Sequence, residues 1–449
     1  MRKILSILMI ISLVLVLFVG CGSSNAPTTS APADNNAPAA SNDEPSASSS
    51  EPVTVSLLID NQTSLDGINA ITAAIREKHN IITEIELRPG GDEGDNLVKT
   101  RLATGEMADL MWYNSGSLFM ALGPEAYFLD LTNEPFMANV DDGFKPAVTV
   151  DGKVYGIPGA AGMGGGWLYN KRVYDELGLS VPNTWEALMN NCQIIKDAGK
   201  TAIIASYRDS WTSQLIFLAD FYNVYKADPG FADRFTNNQA KMATTPAALR
   251  SFEKLAEPNT RGFMNSDFMA TTYENALSML ANGDGVHYPM LTFALSGIVE
   301  TYPEYANDIG IFGQPGDNAG DHGLTMWTTA GIYLNKNSPN IEALKTWAGF
   351  YASVDGVNAF MSVQLPDGPM SIKGASMPDN ILPAVKDMQP YADAGKTAPA
   401  LEFLSPLKGP NLPQICVEVG AGIRTPVEGA GDYDNDVEKQ AAQLGLPGW

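Results

Sequence analysis

The chain has 449 residues, of which 45% are hydrophobic and 18% charged. Its 51 Asp and Glu against 28 Lys and Arg give a formal net charge of -23, and a surface that acidic repels phosphate backbones, which argues against nucleic acid as a partner. Three cysteines are too few for a disulfide framework.

The leader comes first. Arg2 and Lys3 precede an apolar run over 4–19, broken only by Ser6 and Ser12. A basic start, an apolar core and a small-residue end describe a secretory signal peptide, and the run is shorter than the roughly 20 residues a spanning helix needs. The sequence "LFVGC" resembles the box of bacterial lipoproteins, with Phe18 where leucine is usual. The resemblance implies that 1–20 is removed and that Cys21 is lipidated as the mature N-terminus. Residues 22–50 contain no Ile, Leu, Val, Phe, Tyr or Trp, so they cannot bury apolar surface and are expected to be a disordered tether. The remaining body is long enough to divide into two lobes, and no later apolar run is long enough to span a membrane.

The body opens with "VTVSLLID" (53–60), a β-branched, apolar stretch that reads as a buried strand. "GINAITAAIREKH" places Ile68, Ile71 and Ile75 at helical spacing. "IITEIELR" (81–88) is a strand, "DNLVKTRLATGEM" a helix closed by Gly105, and "ADLMWYN" (108–114) a third strand. Strands alternating with helices imply a parallel sheet covered on both faces, with ligands outside the carboxyl ends of its strands. That points to Asp60 and Asn61 after the first strand, and to Tyr113 and Asn114 after the third. Further on, Thr184 is a helix N-cap for "WEALMNNCQIIKDAG", which Gly199 ends. "DSWTSQLIFLADFY", "TPAALRSFEKLAE" and "NIEALKTWAGFYAS" read as helices, and "DIGIFGQPG" and "TMWTTAGIYLNK" each contain a strand.

Between these lies "GIPGAAGMGGGWLYNK" (156–171), with three consecutive glycines. A phosphate loop needs GxxxxGK[ST], and no lysine follows closely; a dinucleotide fingerprint needs GxGxxG, and Trp167 stands three positions after Gly164. The stretch reads instead as a crossover whose bare backbone permits unusual dihedrals and close approach, with Met163 and Gly164 at the floor of a cleft.

At this point a family resemblance becomes specific. "VKTRLATGEMADLMWYNSGS", "DGKVYGIP…WLYNKRVYDELGLSVPNTWEAL", "ENALSMLANGDGVHY", "AGIYLNKNSPNIEALKTWAGFYAS" and the tail "YDNDVEKQAAQLGLPGW" resemble, in order and spacing, the solute-binding proteins of bacterial ABC importers, the large family that includes maltose-binding protein. Ala108 replaces the family's usual proline, and Met163 stands where relatives can carry an acidic sugar contact. The resemblance implies an α/β, two-lobed, periplasmic-binding-protein-like fold (class II-like) with hinge crossovers. It places crossings near 158–162, 311–324 and 374. One lobe would then be 51–160 with 325–375, and the other 161–324 with 376–449. It implies a monomeric receptor, lipid-anchored on the outer face of the membrane, that passes a carbohydrate to permease subunits without any cofactor.

Sugars present apolar faces and polar rims, which aromatic rings stack and polar side chains bind. Trp327, Trp211, Tyr288 and Tyr113 are the candidate rings, and Asp209 and Asp60 the candidate hydroxyl acceptors, each against the plainer alternative of core or capping. Tyr288 is taken to follow a strand. Trp167, Trp185 and Trp347 sit within elements and read as core. The run "GDYDNDVEK" fails as an EF-hand, because Val437 takes the glycine position and Gln443 the glutamate position; its acids read as opening the last helix. His79, His287 and His322 lack zinc spacing and read as surface or cleft groups. No GxSxG elbow is present, so the expectation is a binder rather than an enzyme, the alternatives being a non-sugar receptor and an extracellular polysaccharide-active enzyme. Cys192 and Cys416 are expected as two buried thiols, with one disulfide left open.

Overall fold

Two β-sheets wrapped by helices organise the computed structural model, which describes residues 51–449. The leader, Cys21 and the expected tether lie outside the described residues. The strands are β1 (Val53–Asp60), β2 (Ile81–Arg88), β3 (Leu110–Tyr113), β4 (Thr149–Val150), β5 (Lys153–Val154), β6 (Gly156–Pro158), β7 (Met163–Asn170), β8 (Thr201–Ile203), β9 (Gly285–Leu291), β10 (Ile309–Phe312), β11 (Leu324–Trp327), β12 (Gly331–Leu334) and β13 (Thr397–Pro399).

The first sheet runs β2-β1-β3-β12-β6. β1 is parallel to β2 and β3, as helical crossovers require, with the helices Asp66–His79 and Gly91–Thr104 between them. β12 is antiparallel to both β3 and β6. The second sheet runs β13-β11-β7-β9-β8, with β10 also on β7, and is mixed: β9, β10 and β11 all run antiparallel to β7. The expectation of a parallel sheet therefore holds for β1–β3, whereas the second sheet is parallel only at its edges, β8 with β9 and β11 with β13. The later strands enter their sheets from crossings that reverse the chain, which alternation in sequence does not reveal. The first sheet has an apolar core centred on Leu57, Trp112 and Tyr333, and the second sheet has one on Trp167, Trp185 and Phe252 and another on Leu168, Leu280 and Tyr288.

The chain passes between the sheets at 159–162, at 328–330 and over 362–382, the stretch between the helices Val354–Met361 and Pro383–Asp393. The second passage differs from the expected one. "TMWTTAGIYLNK" holds two strands, and Leu324–Trp327 pairs in the second sheet, with Thr325 opposite Gly165. The crossing is thus the three residues after Trp327. The passages are bonded to one another. Gly159 N donates to Ala330 O at 2.8 Å, Ala160 N to Thr329 Oγ1 at 2.9 Å, and Gly162 N to Pro369 O at 2.8 Å.

Local signals explain several elements. Thr184 Oγ1 accepts from Ala187 N, and Gly105 closes its helix at φ 76°, a left-handed conformation that glycine adopts without strain. The last helix corrects one expectation. It starts at Pro426 behind a Thr425–Glu428 capping box, so Asp432, Asp434 and Asp436 lie within it. Asp434 accepts from the amides of Met242 and Ala243, and Asp436 from Asn411, so these acids are crosslinks to neighbouring loops. His287 is likewise a correction: it is fully buried between Ala202 O at 2.9 Å and the Tyr174 hydroxyl at 2.6 Å, and burial lowers its pKa to about 4. Cys192 and Cys416 are both buried free thiols.

Candidate functional site

The site is built where loops of the two sheets face each other. From the first sheet come the turn after β1, the turn at 89–91 after β2 and the loop after β3. From the second come a 3₁₀ turn Ser210–Gln214, the residues following β9, and the end of β11.

The lobes touch here. A Cβ placed on Gly91 would stand 3.1 Å from Cδ1 of Trp211, and Ser210 Oγ donates to Asp92 Oδ2 at 3.3 Å. A Cβ on Gly116 would stand 2.5 Å from the carbonyl oxygen of Glu402. Gly67 N donates to Gln364 Oε1 at 2.8 Å, while Gln364 Nε2 donates to Ser296 Oγ at 3.0 Å, which joins the first lobe through the third crossing to the second. Any ring-sized molecule between Trp211 and Gly91 requires the lobes to part.

Trp211 is half-buried and packs with Tyr273 (ring centroids 5.4 Å) and Phe293 (5.9 Å). Its indole nitrogen is buried without a hydrogen-bond partner, and so is Nε of Arg88, the residue that opens the 89–91 turn. A buried donor left unpaired costs about 1–3 kcal/mol, so both N–H groups gain from any hydroxyl that reaches them. The Arg88 guanidinium lies 5.5 Å from the Tyr113 ring, and Asp95 bonds the Tyr113 hydroxyl. Burial raises the Asp95 pKa, while the Arg88 charge pulls it down.

The other expected residues are placed as follows. Trp327 ends β11, 6% exposed, with its Nε1 donating to Glu402. Tyr113 is 1% exposed. Tyr288 does not follow a strand but stands in the middle of β9, fully enclosed, its hydroxyl 2.7 Å from Ser206 Oγ; no ring face is open there. Asp209 caps the helix Tyr273–Asn282 by accepting from Tyr273 N at 2.7 Å. Asp60 accepts from Gln62 N and Thr63 Oγ1 and so closes its own turn. The Asn61 and Asn114 side chains are exposed at the mouth. Met163 pairs with Trp327 across the strands, and Gly164 N donates to Thr292 Oγ1. Trp211, Asp60 and the loop after β3 therefore gather at the lobe junction, whereas Tyr288 belongs to an apolar core of the second sheet, with Leu168, Leu280 and Met290.

Sequence reading missed Tyr273, Phe293, Arg88, Asp367 and Glu402. Phe293 was within reach, because it lies just past the carboxyl end of β9, where strand-end reasoning points, while Tyr288 does not. Asp367 sits in the third crossing with Ser296 Oγ at 2.8 Å and 2.9 Å from its two oxygens, and no local pattern marks it. Among the described residues no cluster of three His, Cys, Asp or Glu could hold a metal ion, and no helix is long and apolar enough to cross a membrane.

Two α/β lobes joined by three passages, with facing loops that close on each other, define a solute-binding architecture. The chain belongs to the bacterial extracellular solute-binding protein family, which it matches over residues 61–358. It is similar to the multiple sugar-binding protein of Streptococcus mutans, at 25% identity over 308 residues covering 66% of this chain and 70% of the relative. Solved structures of the same fold include a chitin oligosaccharide binding protein (TM-score 0.75, 19% identity, covering 87% of this chain and 99% of the other). Another is the solute-binding protein RafE in complex with raffinose (TM-score 0.71, 20% identity, covering 86% and 99%).

Proposed function

We propose that this protein is the lipid-anchored receptor of an ABC importer that captures a carbohydrate, an oligosaccharide by the names of similar proteins, and presents it to a membrane permease. One observation carries the reading. Trp211, Tyr273 and Phe293 form an aromatic wall in the second lobe, opposite the Arg88 turn of the first, and each side has a buried N–H without a partner. Rings suit the C–H faces of sugars and unpaired donors suit their hydroxyls. The sugar-binding names of similar proteins support the choice of ligand class. The protein acts as a binder without turnover.

Thermal melts over a panel of oligosaccharides test this directly, since a ligand that binds only the native state raises Tm. A shift by amino acids or peptides with none by sugars would transfer the reading to another solute, and appearance of shortened sugars on incubation would transfer it to an enzyme. Anchoring rests on "LFVGC": Cys21→Ala should release the protein from the membrane fraction or block processing, and unchanged, salt-resistant association would remove the lipid from the account.

A further inference from the structure

If the proposed reading is right and Trp327 faces ligand, one carboxylate behind it acquires a role. The Trp327 ring lies on the backbone of Gly165, and its indole N–H donates to one carboxylate oxygen of Glu402. The other oxygen accepts from Lys408 Nζ at 2.5 Å. Glu402 is 8% exposed, so this is a desolvated pair with every charge answered. Glu402 stands on the 3₁₀ turn Leu401–Phe403, immediately after β13, and β13 is paired with β11 itself, Met326 opposite Pro399. Backbone pairing and side-chain bonding therefore hold Trp327 and Glu402 in one frame.

The same turn meets the first lobe. A Cβ on Gly116 would collide with the Glu402 carbonyl at 2.5 Å and with the Phe403 ring at 2.8 Å, and Gly116 has φ +71°. The loop after β3 thus rests on the turn that carries Glu402.

We propose that Glu402 is a positioning residue for ligand recognition. It fixes the plane of the Trp327 indole through Nε1, is held in turn by Lys408, and sits on the turn that the first lobe touches in the closed form. A ring on two side-chain torsions needs a face contact and an edge bond to lose both freedoms before ligand arrives; Gly165 supplies the first and Glu402 the second. Pre-ordering of this kind lowers the entropy cost of binding, and an ionised acceptor makes the edge bond stronger than a neutral one.

The test uses near-UV circular dichroism of the ligand-free protein and calorimetric titration with raffinose and with a chitin oligosaccharide. The Trp327 band is defined as the difference between the parent and Trp327→Phe. In the pair Glu402→Met/Lys408→Met, which removes both charges together and strands neither, that band should collapse. Glu402→Gln, which keeps an acceptor for the indole N–H, should retain it. Affinity should fall at least about tenfold in the double variant and stay within about threefold in Glu402→Gln. A role limited to stability would lower Tm in both variants without moving the band. A Trp327 band unchanged in the double variant overturns the inference whatever the ligand. A lost band with parental affinity overturns its link to recognition. If the parent binds neither sugar, the titration uses the oligosaccharide of the panel that raises Tm most, and the band still decides whether Glu402 holds the ring.

Discussion

Trp327 lies directly on Gly165: a Cβ on that glycine would stand 2.1 Å from Cζ3 of the indole. The flanking glycines are bare for similar reasons, since a Cβ on Gly164 would meet Leu324 Cδ2 at 2.9 Å and one on Gly166 the Phe312 carbonyl at 2.4 Å. The triplet is a packing surface for β10, β11 and one indole. Gly165→Ala should therefore displace Trp327, with a stability loss of about 1–3 kcal/mol from overpacking and weaker sugar binding. Denaturant melts and calorimetry on the same preparation check both; parental affinity in the variant would show that the ring position is immaterial to ligand.

Trp211→Ala should separate binding from folding. Its indole is half-buried at the lobe junction, so truncation should cost on the order of 2 kcal/mol in binding, about tenfold or more in Kd. Trp167→Ala, at a fully buried ring within the second core, should instead cost about 3–5 kcal/mol of stability. Equal losses of stability in the two variants, with unchanged affinity in Trp211→Ala, would place Trp211 in the core.

Stability should fall as pH rises through the range in which Asp367 ionises. Burial pushes this carboxyl from its usual value of 3.8 up to about 8, with only Ser296 opposing. The folded state thus holds a proton that the unfolded chain releases between those values, so the contribution is full below pH 3.8, declines above it, and is lost once pH exceeds 8. Asp367 keeps some solvent contact, so the expected effect is on the order of 1–2 kcal/mol, well below the full value of the shift. His287 acts in the other direction, its stability present above pH 6.5 and lost as pH falls through 4. Melts of the parent and Asp367→Asn at pH 5 and pH 8.5 isolate the first effect: the variant should gain on the parent at the higher pH. An equal difference at both values would contradict it.

Opening should accompany ligand entry. The contacts of Gly91 with Trp211 and of Gly116 with Glu402 close the gap, and the three bonded passages form a hinge. Small-angle scattering of ligand-free protein should show a larger radius of gyration than the same protein saturated with a sugar that raises its Tm. Identical curves at proven saturation would rule out closure by lobe rotation.

Local chemistry made much of the fold legible. β1 and β2 span the residues expected of them, because β1 is a β-branched, apolar run and β2 alternates β-branched or apolar residues with charged ones. The helix after Thr184 begins at its cap, and Gly105 ends another, because capping depends on neighbours a few positions away. The order of these elements was enough to place the chain in its family. What the sequence left open was set by contacts between distant positions. Leu324–Trp327 belongs to the second sheet because Thr325 pairs with Gly165, a partner 160 residues earlier. The acids of the last helix hold loops near 242 and 411, so their roles depend on chain segments that only folding brings beside them. Tyr288 reads like a site aromatic in its own sentence of sequence, yet β7 and β8 flank its strand on both sides and bury it. The aromatic wall of Trp211, Tyr273 and Phe293 draws on three separate segments, and the Trp327–Glu402–Lys408 chain spans two. Periodicity and caps report what a residue does to its neighbours in the chain; which face of a ring is open, and which carboxylate stands behind it, is decided by packing across the fold.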